Sequence, residues 1–202
     1  VNFIFRPGKI YSLVGPSGSG KSTLLNLISL IDKPSRGFIK LDNFKINEND
    51  IDQKDTIRSK KIGIIYQDKN LLSDFTTLEN VYMARLSISN NKKKAIIDAK
   101  SLIKKVGLDK RLDHFPSELS GGESQRVAIS RALINSPDII LADEPTGNLD
   151  HKNATEIFKL LFGLKNKKRT IIFATHNRYF ADMSDCKLSL INGKITTINV
   201  RN

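Results

Sequence analysis

The sequence is poor in cysteine and in long apolar runs. Cys186 is the single cysteine among 202 residues, so no disulfide can form within the chain, which suits a reducing compartment. A structural thiol is favoured over a catalytic one as the interpretation of Cys186. No apolar run approaches the roughly eighteen residues that a membrane-spanning helix needs. If this protein works at a membrane, other chains do the spanning.

The start of the sequence lacks both an export signal and an initiator methionine. Its first residues, Val1 to Phe5, follow the alternation of a strand. We therefore expect that the sequence begins inside a longer natural chain and that its N-terminus is truncated.

Acidic residues are scarce beside basic ones, with 21 against 33, and the formal net charge is +12. Such an excess could serve nucleic acid or an anionic membrane surface. The basic residues gather in short runs at 92–94 and 165–169, without interleaved aromatic residues for stacking on bases. A solvated surface is therefore the favoured interpretation, followed by membrane proximity and then by nucleic acid.

Apolar patterns alternate between strand and helix along most of the chain. Strands are predicted at 10–14, 38–41, 62–66, 139–142 and 170–174, a hairpin at 187–191 and 194–200 around an Asn192-Gly193 turn, and helices at 21–31, 92–106, 120–134 and 151–164. A polar stretch runs from Asn43 to Lys60. The layout predicts a parallel α/β core interrupted by a helical insertion between about Asp68 and Pro116.

The helix predicted at 92–106 has the clearest amphipathic pattern. One stripe carries Ile96, Ala99, Ile103 and Val106, and Gly107 is placed to end the helix as a C-cap.

The segment from Gly15 to Ser22 fits the G-x-x-x-x-G-K-[ST] pattern of phosphate-binding loops. Its glycines let successive backbone N–H groups point at phosphate oxygens, and the helix that follows adds its positive end. Lys21 would reach the β- and γ-phosphates, and the Ser22 hydroxyl would ligate Mg²⁺. A turn that merely caps a helix is disfavoured, because a strand precedes the loop and a helix follows it. The predicted nucleotide contacts are Gly15, Pro16, Ser17, Gly18, Ser19, Gly20, Lys21, Ser22 and Thr23.

An apolar strand, 139–142, ends in the acid pair Asp143 and Glu144. One acid can hold Mg²⁺ while the second polarises a water molecule for attack on a phosphate. We assign Asp143 to the metal and Glu144 to the role of general base. Such a pair is commonplace on its own, but after a phosphate-binding loop it indicates nucleotide hydrolysis.

A second glycine-rich segment reads Leu-Ser-Gly-Gly-Glu-Ser-Gln over 119–125. Locally it is a capping box, with Ser120 as the N-cap and Glu123 three residues later. The Ser120-Gly121-Gly122 run also leaves several N–H groups free at the positive end of a helix, which makes a second anion-binding nest. Two copies arranged head to tail could therefore hold a nucleotide between one copy's loop and the other copy's nest.

These motifs together resemble the nucleotide-binding subunits of ABC transporters, over nearly the whole chain. The resemblance implies an α/β P-loop NTPase fold in a single domain, 1–202. It divides that domain into a RecA-like, mostly parallel core, 1–67 and 117–202, and an inserted helical subdomain of about 68–116.

The resemblance also implies roles for three further segments. Gln67 matches the Q-loop glutamine, which contacts Mg²⁺ and water and senses the transmembrane partner. The run from Gly147 to Asp150 matches the D-loop, with Asp150 among the nucleotide-binding residues. His176 matches the switch histidine that contacts the γ-phosphate. Taken singly, each could be an ordinary solvated side chain, and the order of five motifs is what favours function.

Within the family, the segments 66–81 and 142–150 are similar to the lipoprotein-releasing subfamily, and they also occur in its macrolide-export and cell-division relatives. The resemblance implies an ATPase with ATP and Mg²⁺ as cofactors, a head-to-tail homodimer, and integral membrane permease subunits as partners. Its place would be the cytoplasmic face of the bacterial inner membrane. Lipoprotein release is the favoured function, ahead of the two related transport types.

Two functions from other classes compete with transport. The positive net charge would suit a DNA-associated ATPase. Such proteins, however, place long coiled coils or zinc hooks between the two glycine motifs. Here about a hundred residues intervene, without a heptad array or a Cys pair, so we expect no nucleic acid partner. A non-hydrolysing scaffold is the third candidate, and intact Glu144 and His176 argue against it.

The sequence departs from the family pattern in two places. Ser124 stands where the family usually carries Gln or Arg. Upstream of Val1 the family normally has an early strand and an aromatic residue that stacks on adenine, so we expect this sequence to bind ATP weakly. Phe3 and Phe5 look like the core of a strand, and we do not assign them as replacements.

Overall fold

The fold comes from a computed structural model that describes residues 1–42, 44–47 and 49–200. Two positions of the predicted polar stretch, Asn43 and Glu48, and the last two residues of the chain lie outside it. The strands are β1 Ile10–Val14, β2 Lys40–Leu41, β3 Phe44–Lys45, β4 Ile62–Ile65, β5 Ile139–Asp143, β6 Thr170–Ala174, β7 Cys186–Ile191 and β8 Lys194–Val200. The helices are α1 Lys21–Ile28, α2 Ile51–Lys61, α3 Thr77–Leu86, α4 Lys92–Lys105, α5 Gly121–Leu133, α6 His151–Gly163 and α7 Arg178–Asp182.

A six-stranded sheet in the order β4-β5-β6-β1-β7-β8 forms the centre of the molecule. Its first five strands pair in parallel, and β8 pairs antiparallel with β7. Parallel strands covered on both faces are continuously apolar, and β6 is buried along its whole length. The predicted parallel α/β core is confirmed. As a result, the segments that follow β4, β5, β6 and β1 all emerge at the same edge.

Helices cover both faces of this sheet. On one face α5 and α6 pack on β5 and β6, and the Phe158 ring of α6 stacks on Phe180 with centroids 4.0 Å apart. Phe173 of β6 meets the Phe158 ring edge-on at 5.2 Å. On the other face Leu24 and Leu25 of α1 pack in a second cluster against the sheet. A closely packed aromatic core therefore supports the sheet below the edge at which the segments after β4, β5, β6 and β1 emerge.

A third apolar cluster joins α3 and α4 to α5. Ala99, Ile103 and Val106 are buried there as predicted, whereas Ala95 is buried in place of the half-buried Ile96. Gly107 ends the helix with a φ of +76°, in the left-handed conformation that glycine adopts without strain. The division of the chain into a core and a helical subdomain of about 68–116 stays a prediction.

Several element boundaries differ from the sequence-based expectation. α1 ends at Ile28 rather than at 31, because Leu30 adopts a φ of +63° and the Ser29 hydroxyl donates to the Asn26 carbonyl. The polar stretch contains the unpredicted helix α2, whose N-cap Asp50 accepts a hydrogen bond from the Gln53 amide at 2.8 Å. The strand predicted at 38–41 is reduced to β2, and β3 and α7 were not predicted.

The first residues of the chain form no strand, so that expectation is wrong. Phe3 and Phe5 instead pack edge-on around Tyr11, with ring centroids at 6.1 and 5.0 Å. Their contacts with this ring leave both phenylalanines half-buried against the core, which agrees with a packing role.

Candidate nucleotide-binding site

The phosphate-binding loop follows β1 and turns directly into α1. Gly18 and Gly20 adopt φ values of +74° and +96°, which favour glycine. At Gly15 the chain passes so close to the neighbouring strand that a methyl group there would lie 2.4 Å from the Leu190 carbonyl oxygen. Only glycine fits this position, so the tight curl of the loop depends on it.

Two side chains of the loop have hydrogen-bonding capacity suited to an anion. Lys21 Nζ donates to the carbonyls of Gly15 and Pro16 at 2.9 and 3.1 Å, which holds its charge over the loop. The Ser19 hydroxyl is buried and has no hydrogen-bond partner within the described residues. An unpaired buried hydroxyl is costly, and a phosphate oxygen beside it would accept a hydrogen bond from it. Ser22 and Thr23 are exposed and lie in the first turn of α1, directly after the loop.

Glu144 and His176 meet at the ends of the adjacent strands β5 and β6. Glu144 Oε2 lies 3.0 Å from His176 Nδ1 and accepts a longer hydrogen bond, 3.4 Å, from the His176 backbone. The Glu144 side chain is 16% exposed and the His176 side chain 75% exposed. The pair therefore presents a sheltered carboxylate behind an imidazole that faces solvent.

The backbone at Glu144 is strained, with a φ of +44°. Its amide donates to the Ala174 carbonyl at 3.1 Å and its carbonyl accepts from Gly147, so the surrounding chain holds the residue in this conformation. Non-glycine residues in the left-handed region cluster at functional sites. The preceding Asp143 ends β5 and is half-buried at the same edge.

Gln67 lies just beyond β4 and rests on the segment that follows the acid pair. A methyl group on Gly147 would approach Gln67 Nε2 to 2.9 Å, so the amide packs against the bare backbone there. Asp150 begins α6 and accepts the Asn153 amide at 3.0 Å, and this backbone hydrogen bond lowers the pKa of Asp150. The structure thus brings the predicted Q-loop and D-loop residues together.

The second glycine motif begins α5 as the predicted capping box. The Ser120 hydroxyl accepts from the Glu123 amide at 3.3 Å, and Glu123 Oε2 accepts from the Ser120 amide at 2.8 Å. Gly121 packs beside Leu149, and Gly122 beside Asn153, where a methyl group would meet Oδ1 at 2.8 Å. The nest at 120–122 therefore lies against the predicted D-loop and the start of α6.

The departure at Ser124 is accommodated within the helix. The side chain is buried, and its hydroxyl donates to the Ser120 carbonyl at 3.0 Å. This extra bond belongs to the same first turn as the capping box. A small polar residue therefore fits where a longer side chain is usual.

Two residues of α5 close to the site were not predicted from the sequence. Arg131 of α5 donates to the carbonyls of Lys69 and Asn70, just after Gln67. Gln125 of α5 donates to the Tyr66 carbonyl at 3.4 Å. No local motif marks these contacts, since their partners are remote in sequence.

The capping box at the start of α5 is expected to make part of the folding stability depend on pH. Hydrogen bonds from Ser120, together with the Arg111 guanidinium, lower the pKa of Glu123 from 4.5 to about 2. The carboxylate therefore stabilises the fold above pH 4.5, and this contribution is lost as the pH falls towards 2. Glu123→Gln is expected to cost about 1 kcal/mol at neutral pH, allowing for solvent screening.

Urea unfolding at a series of pH values measures this effect. The difference in free energy of unfolding between the wild type and Glu123→Gln should disappear as the pH falls from about 5 to about 2. Asp113→Asn, at an exposed carboxylate outside the box, is the control and should follow the wild type. A gap of constant size across this range would contradict the assignment.

The fold and the strand-end motifs define a P-loop ATPase. The sequence pattern described as ABC transporter matches residues 1–147, and the chain belongs to this family. It is 43% identical over 196 residues to the lipoprotein-releasing system ATP-binding protein LolD of Cytophaga hutchinsonii, covering 96% of this chain and 90% of that protein. It is 47% identical over 186 residues to the LolD protein of Rickettsia conorii, covering 92% and 82%.

Solved structures agree with this assignment. A dimeric post-hydrolysis state of the ATP-binding cassette MJ0796, bound to ADP and Pi, is 38% identical, with a TM-score of 0.89 over 98% of this chain and 89% of that one. The chain is an ATP-binding, ATP-hydrolysing subunit of an ABC transporter, and the predicted resemblance to lipoprotein-releasing subunits is confirmed. Among the helices of 1–42, 44–47 and 49–200, none combines the length and apolar character of a membrane span.

Proposed function

We propose that this subunit drives release of lipoproteins from the bacterial inner membrane, docked on a permease at its cytoplasmic face. The relatives named for lipoprotein release cover nearly the whole chain, which supports this choice of cargo. The observation that carries the catalytic part of the proposal is the contact of 3.0 Å between Glu144 and His176 at adjacent strand ends.

In the proposed cycle two copies close head to tail on two ATP molecules. Each nucleotide lies between the loop at 15–22 of one copy and the nest at 120–122 of the other. The dimeric state of the related cassette with ADP and Pi supports this arrangement. Both segments have free N–H groups at helix starts, which favour phosphate oxygens.

The phosphate contacts would come from the loop and from Lys21. On nucleotide binding, Lys21 Nζ would exchange its two carbonyl contacts for the β- and γ-phosphates, and the buried Ser19 hydroxyl would gain a partner. Asp150 would complete the nucleotide contacts at the dimer interface. The remaining contacts are those predicted for Gly15, Pro16, Ser17, Gly18, Gly20, Ser22 and Thr23.

Ser22, Gln67 and Asp143 would hold Mg²⁺ together with nucleotide oxygens. The described residues contain no group of three or more His, Cys, Asp or Glu side chains able to hold a metal. A hydroxyl, an amide and one carboxylate, completed by phosphate and water, form the sparse oxygen set that suits Mg²⁺. When bound, the ion would neutralise charge on the β- and γ-phosphates.

Hydrolysis would then depend on Glu144 and His176. Glu144 Oε2 would accept a hydrogen bond and then the proton from the attacking water. Because the Glu144 side chain is sheltered from solvent, that hydrogen bond from the water would be stronger than in bulk water. His176, together with Lys21, would stabilise the transferred phosphoryl group. Gln67, held against Gly147, would contact the water as well as the metal.

The permease would dock near Gln67 and the segment 71–85. Buried Asn80 holds this segment in shape, because its side chain bonds both the amide and the carbonyl of Leu72 and also the Phe75 carbonyl, all within 3.0 Å. Leu72 is left exposed on the outside. A fixed loop with an exposed apolar tip suits a partner surface.

Reconstitution tests this function. Proteoliposomes with this chain and the lipoprotein-releasing permease of the same organism should release lipoprotein when ATP is supplied. Lys21→Met removes the ammonium over the loop and should lower both hydrolysis and release about a hundredfold or more. Lys93→Met, at an exposed position of α4, is the charge-matched control and should behave as the wild type. ATP hydrolysis by the complex without release would contradict the assigned cargo.

A further inference from the structure

A turn just after Gln67 is held in an unfavourable conformation by α5. Lys69 and Asn70 adopt consecutive left-handed φ values of +60° and +47°. Two such residues in a row are costly, lysine more so than asparagine. The guanidinium of Arg131 donates to both carbonyls, at 2.7 Å to Lys69 and 2.6 Å to Asn70. These charge-assisted bonds offset the strain and hold the backbone from which the Lys69 side chain projects.

The Lys69 side chain points along α5 to the glycine nest at its start. A methyl group on Gly121 would lie 3.9 Å from Lys69 Nζ. Lys69 is half-buried, and no ion pair in the described part of the chain includes it. A cation beside the positive end of a helix is unfavourable. An anion bound between them would neutralise the Lys69 ammonium and accept hydrogen bonds from the N–H groups of the nest.

We propose that Lys69 is a further binding residue for the phosphates of the partner copy's nucleotide, and that Arg131 positions it. The inference rests on the proposed head-to-tail dimer, in which the nest at 120–122 faces the nucleotide held by the other copy's loop. Lys69 therefore acts across the interface, and the nucleotide in its own loop at 15–22 is bound without it. Its amine adds a direct, charge-assisted contact to the N–H groups of the nest.

Lys69→Met removes the charge and keeps the length of the side chain. In the full chain carrying Glu144→Gln, the ATP-bound dimer should dissociate at about tenfold higher protein concentration when Lys69 is replaced, as measured by analytical ultracentrifugation. Lys69→Arg should keep the dimer near its original strength. The affinity of dilute monomer for a fluorescent ATP analogue should stay constant, because the loop at 15–22 is intact. Lys93→Met is again the matched control.

Arg131 is tested as a positioning residue by a double-mutant cycle. Arg131→Lys keeps a donor for the two carbonyls but loses the fork geometry, so it should weaken the dimer by less than Lys69→Met does. Combined with Lys69→Met it should cause little further weakening, since Arg131 acts through Lys69. Thermal unfolding of each variant monitors any loss of the fold.

The outcomes separate this inference from the proposed function. A Glu144→Gln parent that stays monomeric with saturating ATP overturns both. A parent that dimerises while Lys69→Met dimerises equally well overturns the role of Lys69 alone. Equal weakening of monomer ATP binding and of the dimer would also overturn it, because Lys69 would then act on its own copy's nucleotide. Additive effects in the cycle overturn the positioning role of Arg131.

Discussion

Glu144→Gln is expected to lower the rate of ATP hydrolysis by about a hundred- to ten-thousandfold and to trap a dimer bound to ATP. Glutamine keeps the shape of the side chain and can accept a hydrogen bond from His176, but it cannot take a proton from water. Binding of ATP and closure of the dimer therefore continue while the chemical step stops. Phosphate release measures the first effect, and light scattering with gel filtration measures the second.

Asp113→Asn is a suitable control for this experiment, since it removes a carboxylate on the exposed surface. It should hydrolyse ATP at the wild-type rate and should form no stable dimer. A Glu144→Gln protein that remains monomeric at saturating ATP would contradict the nucleotide sandwich. A variant that still hydrolyses ATP at the normal rate would instead contradict the assignment of Glu144 as the base.

Phe158→Ala is expected to lower the free energy of unfolding by about 3–5 kcal/mol. Phe158 is 1% exposed and contacts the rings of both Phe180 and Phe173, so truncation leaves a cavity between α6 and β6. The loss combines the transfer energy of the ring with the missing contacts of its neighbours. Urea unfolding followed by circular dichroism gives the value.

Phe44→Ala is the matched control for this stability measurement. Phe44 is 77% exposed, and the same truncation there should change stability by no more than about 0.5 kcal/mol. Phe158→Leu, which fills part of the cavity, should lie between the two. A cost below about 1 kcal/mol for Phe158→Ala would show that the aromatic cluster is not the support of the site edge.

The parts of the fold that the sequence predicted best have strong local signals. β1, β5 and β6 are short apolar runs that end at turn residues, and the observed strands agree with them to within a residue. The capping box at Ser120 and the Asn192-Gly193 turn depend on neighbouring residues alone, and both are present. Since parallel strands share an edge, the residues after them could also be expected to meet.

The parts that the sequence did not predict lack such signals. Helix α2 has a single buried residue, Lys54, so it carries no apolar stripe to reveal it. The strand expected over the first residues competes with burial of Phe3 and Phe5 around Tyr11, and ring packing prevails. Leu30 enters the left-handed region although leucine disfavours it, and this shortens α1.

Contacts between remote segments are the other class that local patterns miss. Arg131 binds a carbonyl 62 residues earlier in the chain, and nothing in the sequence around it indicates that partner. The position of Lys69 beside the nest is likewise invisible in the sequence, because Gly121 lies 52 residues further along the chain. Motif matching predicted candidate catalytic residues, whereas the contacts between them are visible only in the folded chain.

The attachment of the Q-loop to α5 has a mechanical consequence. The segment 66–70 is hydrogen-bonded to α5 through Gln125 and Arg131, and Lys69 Nζ lies beside Gly121 at the start of the helix, so the segment follows most of the length of α5. From Gly121 to Arg131 the helix rises about 15 Å at 1.5 Å per residue. A rotation of α5 as its first turn closes on a nucleotide would therefore carry Gln67 with it as one rigid body. Closure of the nest on the nucleotide of the partner copy would therefore move the permease-docking region near Gln67 directly. No chain of small side-chain movements between the nest and Gln67 would be needed.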